Sequence, residues 1–332
     1  MGSDLDIRPL VAWVNEREAI RLRKAMLENQ YYSSKDADGP SRRVLSHWWD
    51  DGRWTLARLT DDPILHQYRF CNIRRQDDRV TRWLTHHISE PFATHRNLAM
   101  MLAIARQFNW PPTVQHLMDT GAWPTDHTFD PAQMTRALEP YQAAGNKVTT
   151  GSFMVRAESS KTAPWYSWSK VRYLSEIVLG RVWEKYDKFE GVLDGGPLHQ
   201  PTLQEAWTFL TQPWFIGYGP FVAGQLVTDL RWTRYLSQAP DIQTWTALGP
   251  GSRKGLNRLH GRSPDAPLSQ AQGLDEMLRI REAILKPGVL APWVGDIDLS
   301  DIQNCLCEYS KYDKTLSGEG RPRARYVPGR GS

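Results

Sequence analysis

Cysteine is scarce. Cys71, Cys305 and Cys307 are the only three in 332 residues, too few for a disulfide framework. Cys305 and Cys307 form a lone C-x-C with no second pair, a pattern that fits two packed helix thiols better than a four-thiolate zinc site. Long apolar runs are missing too. No stretch of 18 apolar residues occurs, and MGSDLDIRPL lacks the basic-then-apolar layout of a secretory signal. A soluble, intracellular protein without a membrane partner is expected. The nine histidines are scattered. H-E-x-x-H, G-x-S-x-G, the dinucleotide fingerprint, the Walker loop and the Cys/His finger are all absent, so no metal site and none of those chemistries is expected. Few stretches alternate with period two and none repeats at a fixed spacing, which argues against a β protein or a solenoid.

What the chain has in quantity is tryptophan, with 15. Indoles fill cores or stack on flat ligands such as bases, and sequence does not separate the two sets. Apolar residues at 40% and charged residues at 23% make a globular composition. A net charge of +4 leans weakly toward polyanions.

The periodicity predicts a mainly α fold with one short β-hairpin. Residues 7–29 read as a helix with Trp13, Ile20 and Leu27 on one stripe, followed by a polar break over 31–43. HWWDDGRWTL (47–56) places an Asp-Gly turn between aromatic residues, the hairpin signal. Leu98, Met101, Leu102, Ala105 and Phe108 mark an apolar helix face. Asp130-Pro131 reads as a helix start, and Val171, Leu174, Val178 and Val182 line a longer helix. Thr202 with Glu205, and Ser300 with Gln303, read as capping boxes. The expected division is an N-terminal helix and linker (1–45), a helical catalytic domain (46–316) and a basic tail (317–332). That tail has four arginines and no acid after Glu319; it reads equally as a solvated end or an arm on a polyanion.

Four segments crowd polar and small residues together. In YRFCNIRRQDDRVTRW (68–83), Asn72, Arg75 and Arg79 fall at helical spacing with Asp78 beside them. A salt-bridged exposed helix and a set of donors aimed at an anion both fit. In FIGYGPFVAGQLVTDL (215–230), Gly217-x-Gly219 precedes Pro220, after which Phe221, Gln225 and Asp229 share one helix face. This is a turn between helices, or a phosphate-holding turn with a base-holding face behind it. GPGSRKGLNRLHGR (249–262) sets Arg253, Lys254 and Asn257 among glycines, a loop that is flexible or anion-binding. In DIQNCLCEYSKYDK (301–314), Asp301, Asn304, Glu308 and Lys311 share a polar face, as on an amphipathic surface helix.

Taken in order, these segments resemble the α-glutamyl/putrescinyl thymine pyrophosphorylases, the amino acid:DNA transferases of DNA viruses. They also resemble the related helical domain that accompanies 5-hydroxymethyluracil DNA kinases. The resemblance rests on Phe70-x-Asn72-x-x-Arg75-x-x-Asp78, Gly151-Ser152-Phe153, and Gly217-x-Gly219-x-Phe221-x-Ala223-x-Gln225 with Asp229. It continues through Gly249-Pro250-Gly251 with Arg253, Gly255, Leu256 and Asn257, then Cys307-Glu308-Tyr309-x-Lys311-Tyr312, Arg321 and Tyr326.

The resemblance implies a helical bundle like that of the DNA glycosylases, with a helix-hairpin-helix-like turn at Gly217–Gly219. It implies transfer of an amine onto pyrophosphorylated 5-hydroxymethyluracil in DNA, with pyrophosphate displaced and the target base flipped from the stack. Candidate pyrophosphate ligands are Arg75, Arg253, Lys254, Arg321 and the N–H groups near Gly217 and Gly219. Asp229 or Glu308 is the candidate base, with Asp78 as orienter. Asn72, Phe221, Gln225, Asn257 and Lys311 are the candidates for holding the base or the amine. The implied partners are modified DNA, an amine donor (glycine, glutamate, ornithine or a polyamine) and a 5-hydroxymethyluracil DNA kinase, in the cytoplasm of an infected bacterium. No cofactor is implied beyond Mg²⁺ accompanying the pyrophosphate. The Gly-x-Gly turn also fits a DNA glycosylase or lyase, and the basic tail fits a non-catalytic DNA-binding module.

Overall fold

The computed structural model describes residues 5–33, 59–125, 128–150, 161–322, 324 and 325. The hairpin expected at 47–56, the Gly151-Ser152-Phe153 motif and Tyr326 lie outside the described residues. The protein is mainly helical, as its periodicity predicts. Among the described residues the only β pairing is two isolated bridges, Tyr68 with Arg325 and Gly196 with His199. In chain order the helices are α1 (Arg8–Ser33), α2 (Pro63–Gln67), α3 (Arg79–Leu84), α4 (Leu98–Phe108), α5 (Pro111–Asp119) and α6 (Pro131–Ala143). They continue with α7 (170–184), α8 (Tyr186–Asp194), α9 (Leu203–Leu210), α10 (Pro220–Leu230), α11 (Pro250–Leu259), α12 (Gln270–Ile284) and α13 (Leu299–Leu316). The chain folds as two compact units, residues 1–79 with 248–332, and residues 80–247.

In the first unit, α1 packs on α13 rather than standing apart as an N-terminal piece. Leu10, Trp13 and Val14 of α1 share a core with Phe70, Ile73, Leu256, Met277, Ile280, Ile302 and Leu306. Residues 249–262 are not a flexible loop: Gly249 caps α11, Pro250 takes its first position, and a regular helix follows. Its glycines serve close packing. A Cβ on Gly255 would lie 2.3 Å from the Leu306 carbonyl oxygen, and one on Gly251 would lie 2.2 Å from the Cys307 Sγ. Gly251 and Gly255 are one helical turn apart, so α11 lies directly on α13 along that stripe. Gly255→Ala is therefore expected to destabilise this unit by about 3 kcal/mol, because backbone rather than a movable side chain blocks the methyl. Chemical denaturation of the intact protein measures it.

The start of α13 also differs from expectation. Asp298, not Ser300, is the N-cap, and it forms a capping box with Asp301. Cys305 and Cys307, two apart on this helix, face different neighbours: Cys305 Sγ lies 3.6 Å from the Ile73 carbonyl oxygen, whereas Cys307 meets Gly251. They are packed thiols. Burial pushes the Cys307 pKa up to about 11, so its alkylation at pH 7 is expected to run about a hundredfold slower than that of free cysteine, where the thiolate is far more populated. Mass spectrometry after timed iodoacetamide exposure checks this.

In the second unit, all eleven residues of α4 are buried. The helix ends where Asn109 adopts a left-handed conformation (φ 49°) and Pro111 and Pro112 start α5. Asp130 caps α6 as predicted, its carboxylate accepting the Ala132 N–H at 2.8 Å. In α7, Tyr173–Leu179 forms a π-helical stretch. Thr202 and Glu205 make the predicted capping box on α9. Gly217 turns the chain at φ +85°, Gly219 caps α10, and Pro220 opens it. Among the described residues no helix is long and apolar enough to cross a membrane.

Candidate active site

Asn72, Arg75 and Asp78 sit on a loop, not on the helix their spacing predicts. Arg75–Asp77 make one 3₁₀ turn, Asp78 is extended (φ −67°, ψ 137°), and helix resumes only at Arg79. Hydrogen bonds that a helix would not permit hold the loop. Asp78 Oδ1 accepts the Asn72 N–H at 3.1 Å, and the Asn72 amide donates to the Asp77 carbonyl at 2.8 Å.

Two helices of the same unit satisfy the rest of the loop backbone. From α1, the Arg17 guanidinium donates to the Phe70 and Cys71 carbonyls and, at 2.7 Å, to Asn72 Oδ1. From α13, Asp301 accepts the Arg75 N–H at 2.9 Å, Asn304 donates to the Asn72 carbonyl at 2.8 Å, and Glu308 accepts the Cys71 N–H at 3.0 Å. Asp301, Asn304 and Glu308 follow one another at helical spacing, so one stripe of α13 reads one run of loop backbone. The polar face expected to meet solvent is therefore buried, with exposures of 5%, 5% and 3% for these three residues.

Five of the predicted site residues thus come together: Asn72, Arg75, Asp78, Glu308 and Lys311. Their commitments differ. Both ends of the Asn72 amide are used within the protein. Glu308 gives one oxygen to the Cys71 N–H and the other to the Lys311 ammonium, and it is 3% exposed. Burial opposes the Lys311 charge, but the neighbouring Glu308 outweighs it, so its pKa rises above the ordinary lysine value. Asp78 is the accessible carboxylate, at 19% exposure. Its Oδ2 stands 4.0 Å from the Arg75 guanidinium, beyond hydrogen-bond length. Burial raises the Asp78 pKa, with the Arg75 charge opposing.

The remaining predicted residues of this unit lie elsewhere on it. Asn257 is fully buried and donates to the Pro264 and Ala266 carbonyls, holding the chain that leaves α11. Lys254 pairs with Asp265 at 2.8 Å. Arg253 is half-buried on α11 with its Nε lacking a partner. Arg321 is exposed, on the stretch that returns to the loop's entry, where the Arg69 N–H donates to the Ala324 carbonyl at 3.1 Å.

The second unit holds the other set. Asp229 is 3% exposed and gives both oxygens to the Arg106 guanidinium, with 2.6 Å to Nε. Arg106 also donates to Asn109 at 3.0 Å, and Asn109 donates to Thr150 at 3.1 Å. Gln225 is buried and Phe221 half-buried on the same helix. Gly219 is exposed, and a Cβ built on it would meet nothing within 4 Å. The protein itself makes no use of that empty space. Arg17 and Arg106 escaped notice in sequence, while Asp301 and Asn304 were read only as part of a solvent-facing stripe. Only Arg106 carries a signal there, as the lone cation in the apolar run LAMMLAIARQF, where it demands a buried acid. Among the described residues no group of three or more His, Cys, Asp or Glu side chains could hold a metal ion.

The model of one protein family, "5-hmdU DNA kinase, helical domain", matches residues 53–321, and the chain belongs to that family. No curated protein and no solved structure matches it.

Proposed function

We propose that the protein acts in thymidine hypermodification of DNA, transferring an amine onto pyrophosphorylated 5-hydroxymethyluracil. Membership of the hydroxymethyl-deoxyuridine kinase helical-domain family supports the pathway. The observation that carries the chemistry is the loop at 70–78, where an accessible carboxylate of raised pKa stands beside Arg75 and within one network with Arg17 and Lys311.

Asp78, rather than Glu308 or Asp229, is the general base in this proposal. Both oxygens of the other two carboxylates are taken, and each is 3% exposed. A carboxylate whose pKa is raised by burial is the stronger base and, once ionised, accepts a proton more readily. The amine nitrogen gives its lone pair to the exocyclic methylene of the base, forming the C–N bond. The C–O bond to pyrophosphate breaks, and pyrophosphate leaves with that electron pair. The proton shed by nitrogen goes to Asp78 Oδ2. Arg75 and Lys311 stabilise the departing anion, with Arg321, on the stretch that returns to the loop's entry, as an outer cation. In the second unit, the turn at Gly217–Gly219 takes a DNA phosphate, since the open space at Gly219 lets backbone approach backbone. Phe221 and Gln225, on the helix that this turn opens, stay candidates for contact with DNA. The kinase of the pathway supplies the pyrophosphorylated substrate. The lyase reading is weaker, because Lys311, held by Glu308, is a protonated ammonium and not a free amine nucleophile.

The test is to incubate the protein with DNA carrying the pyrophosphorylated base and a mixture of glycine, glutamate, ornithine and putrescine, then digest to nucleosides. An aminated thymidine is expected. Its absence with every amine sinks the reading, and abasic sites in its place would select a glycosylase.

A further inference from the structure

The second unit carries an edge on which aromatic rings and cations alternate, and hydrogen bonds tie its parts together. Lys147 Nζ lies 4.2 Å over the Trp110 ring, and its carbonyl accepts the Thr113 hydroxyl at 3.1 Å, fixing this backbone against α5. Two residues on, the Thr149 hydroxyl accepts Lys170 Nζ at 3.4 Å. Lys170 begins α7, and two residues further the Arg172 guanidinium stacks 3.8 Å over the Trp168 ring. Tyr166, just before, is 44% exposed. Trp110 and Trp168 are half-buried, so neither is fully enclosed by the core.

The charge on this edge is left largely uncompensated, whereas surface cations such as Lys254, Arg279, Arg136 and Arg96 are paired with Asp265, Asp275, Asp130 and Asp187. Among the described residues, neither Lys147 nor Lys170 has a carboxylate partner, and only Arg172 is paired, to Glu176 at 3.2 Å. Partial burial even pulls the Lys170 pKa down, so its ammonium is held partly desolvated without compensation. An uncompensated cation beside an open ring fits a partner that brings both a negative charge and a flat face. Structural packing needs neither.

We infer that Trp110, Lys147, Tyr166, Trp168, Lys170 and Arg172 form a platform for unpaired DNA, with rings stacking on bases and cations meeting phosphates. Duplex DNA hides its base faces, so stacking of this kind selects strands that are open. The inference rests on the proposal that the substrate is DNA, and it adds that the enzyme grips unpaired nucleotides.

Fluorescence titration of the full chain with an unmodified 12-nucleotide single strand, and with the matching duplex, tests it. Trp168→Ala is expected to weaken single-strand binding about tenfold, the scale of one stacked base, while Trp168→Phe keeps affinity within about threefold by retaining a ring. The Lys147→Gln/Lys170→Gln double variant is expected to reduce the slope of log affinity against log salt by about 1.4, for two phosphate contacts on a single strand. Unchanged single-strand affinity in Trp168→Ala together with an unchanged salt slope in the double variant overturns the platform. So does an equal loss for duplex, which would mark a general polyanion surface. Because the oligonucleotide carries no pyrophosphorylated base, the outcome is independent of amine transfer. Wild-type binding through this edge with no transfer to modified DNA would defeat the transfer reading alone, whereas transfer with unaltered variants would defeat the platform alone.

Discussion

Asp78→Asn should cut amine transfer by about a hundredfold or more, the contribution of a positioned general base, while leaving the protein folded. The amide keeps an oxygen to accept the Asn72 N–H that closes the loop, so the geometry survives and only the proton acceptor is lost. Stability gives an independent sign. Burial raises the folded-state pKa of Asp78 above its ordinary value of 3.8. Its folded state thus binds the proton more tightly than its unfolded state does, and the contribution to stability is greatest at acid pH. That contribution is lost as pH rises through the folded pKa. At pH 7 the buried charge is a liability, and the neutral amide should unfold at the same or a slightly higher temperature than the wild type. The same shift sets the acid limb of the pH–rate profile. Activity should rise with pH through a value above 3.8, because only the ionised carboxylate accepts the proton. A variant that loses activity and stability together, or a pH limb at the ordinary carboxylate value, would remove Asp78 from the role.

Asp229→Ala should have the opposite character: about 3–5 kcal/mol lost from stability, because the Arg106 guanidinium is left buried without its carboxylate. Both groups are 3% exposed, so water cannot take over. Asn109 and, at 3.5 Å, Thr81 also bond Arg106; both are neutral and cannot balance its charge. Replacing both partners, as Arg106→Met with Asp229→Leu, should recover most of the loss. Below the melting transition the folded fraction of the double variant should still transfer amine. A double variant that folds well but is inactive would instead place Asp229 in the chemistry. Thermal melts and transfer assays on the same preparations separate the two outcomes.

The helical fold was legible where a local signal fixes local structure. Thr202 with Glu205, Asp130 with Pro131, and Gly219 with Pro220 each mark a helix start that the structure contains. The buried stripe of α7 followed from Val171, Leu174, Val178 and Val182. Legibility failed where long-range contacts decide. Asn72, Arg75 and Arg79 keep helical spacing, but Asp301, Asn304 and Glu308, more than 220 residues away, bond the loop backbone and hold it out of helix. The same contacts bury the face of α13 that a pattern of alternating polarity assigns to solvent. The glycines at 251 and 255 suggested flexibility, and only the approach of the Leu306 carbonyl reveals their purpose. Of the candidate site, Asn72, Arg75 and Asp78 were nameable from their spacing, and Glu308 and Lys311 only from the family resemblance. The division of labour among the carboxylates was not, because it depends on which oxygens are already occupied, and sequence carries no record of that.

The most direct test of the proposed chemistry is a stoichiometry. With DNA carrying the pyrophosphorylated base and an isotopically labelled amine, pyrophosphate released and labelled thymidine formed should appear one for one in a single turnover, both slowed together in Asp78→Asn. Pyrophosphate release accompanied by hydroxymethyluracil or by abasic sites, without label in the nucleoside, would contradict amine transfer at this site.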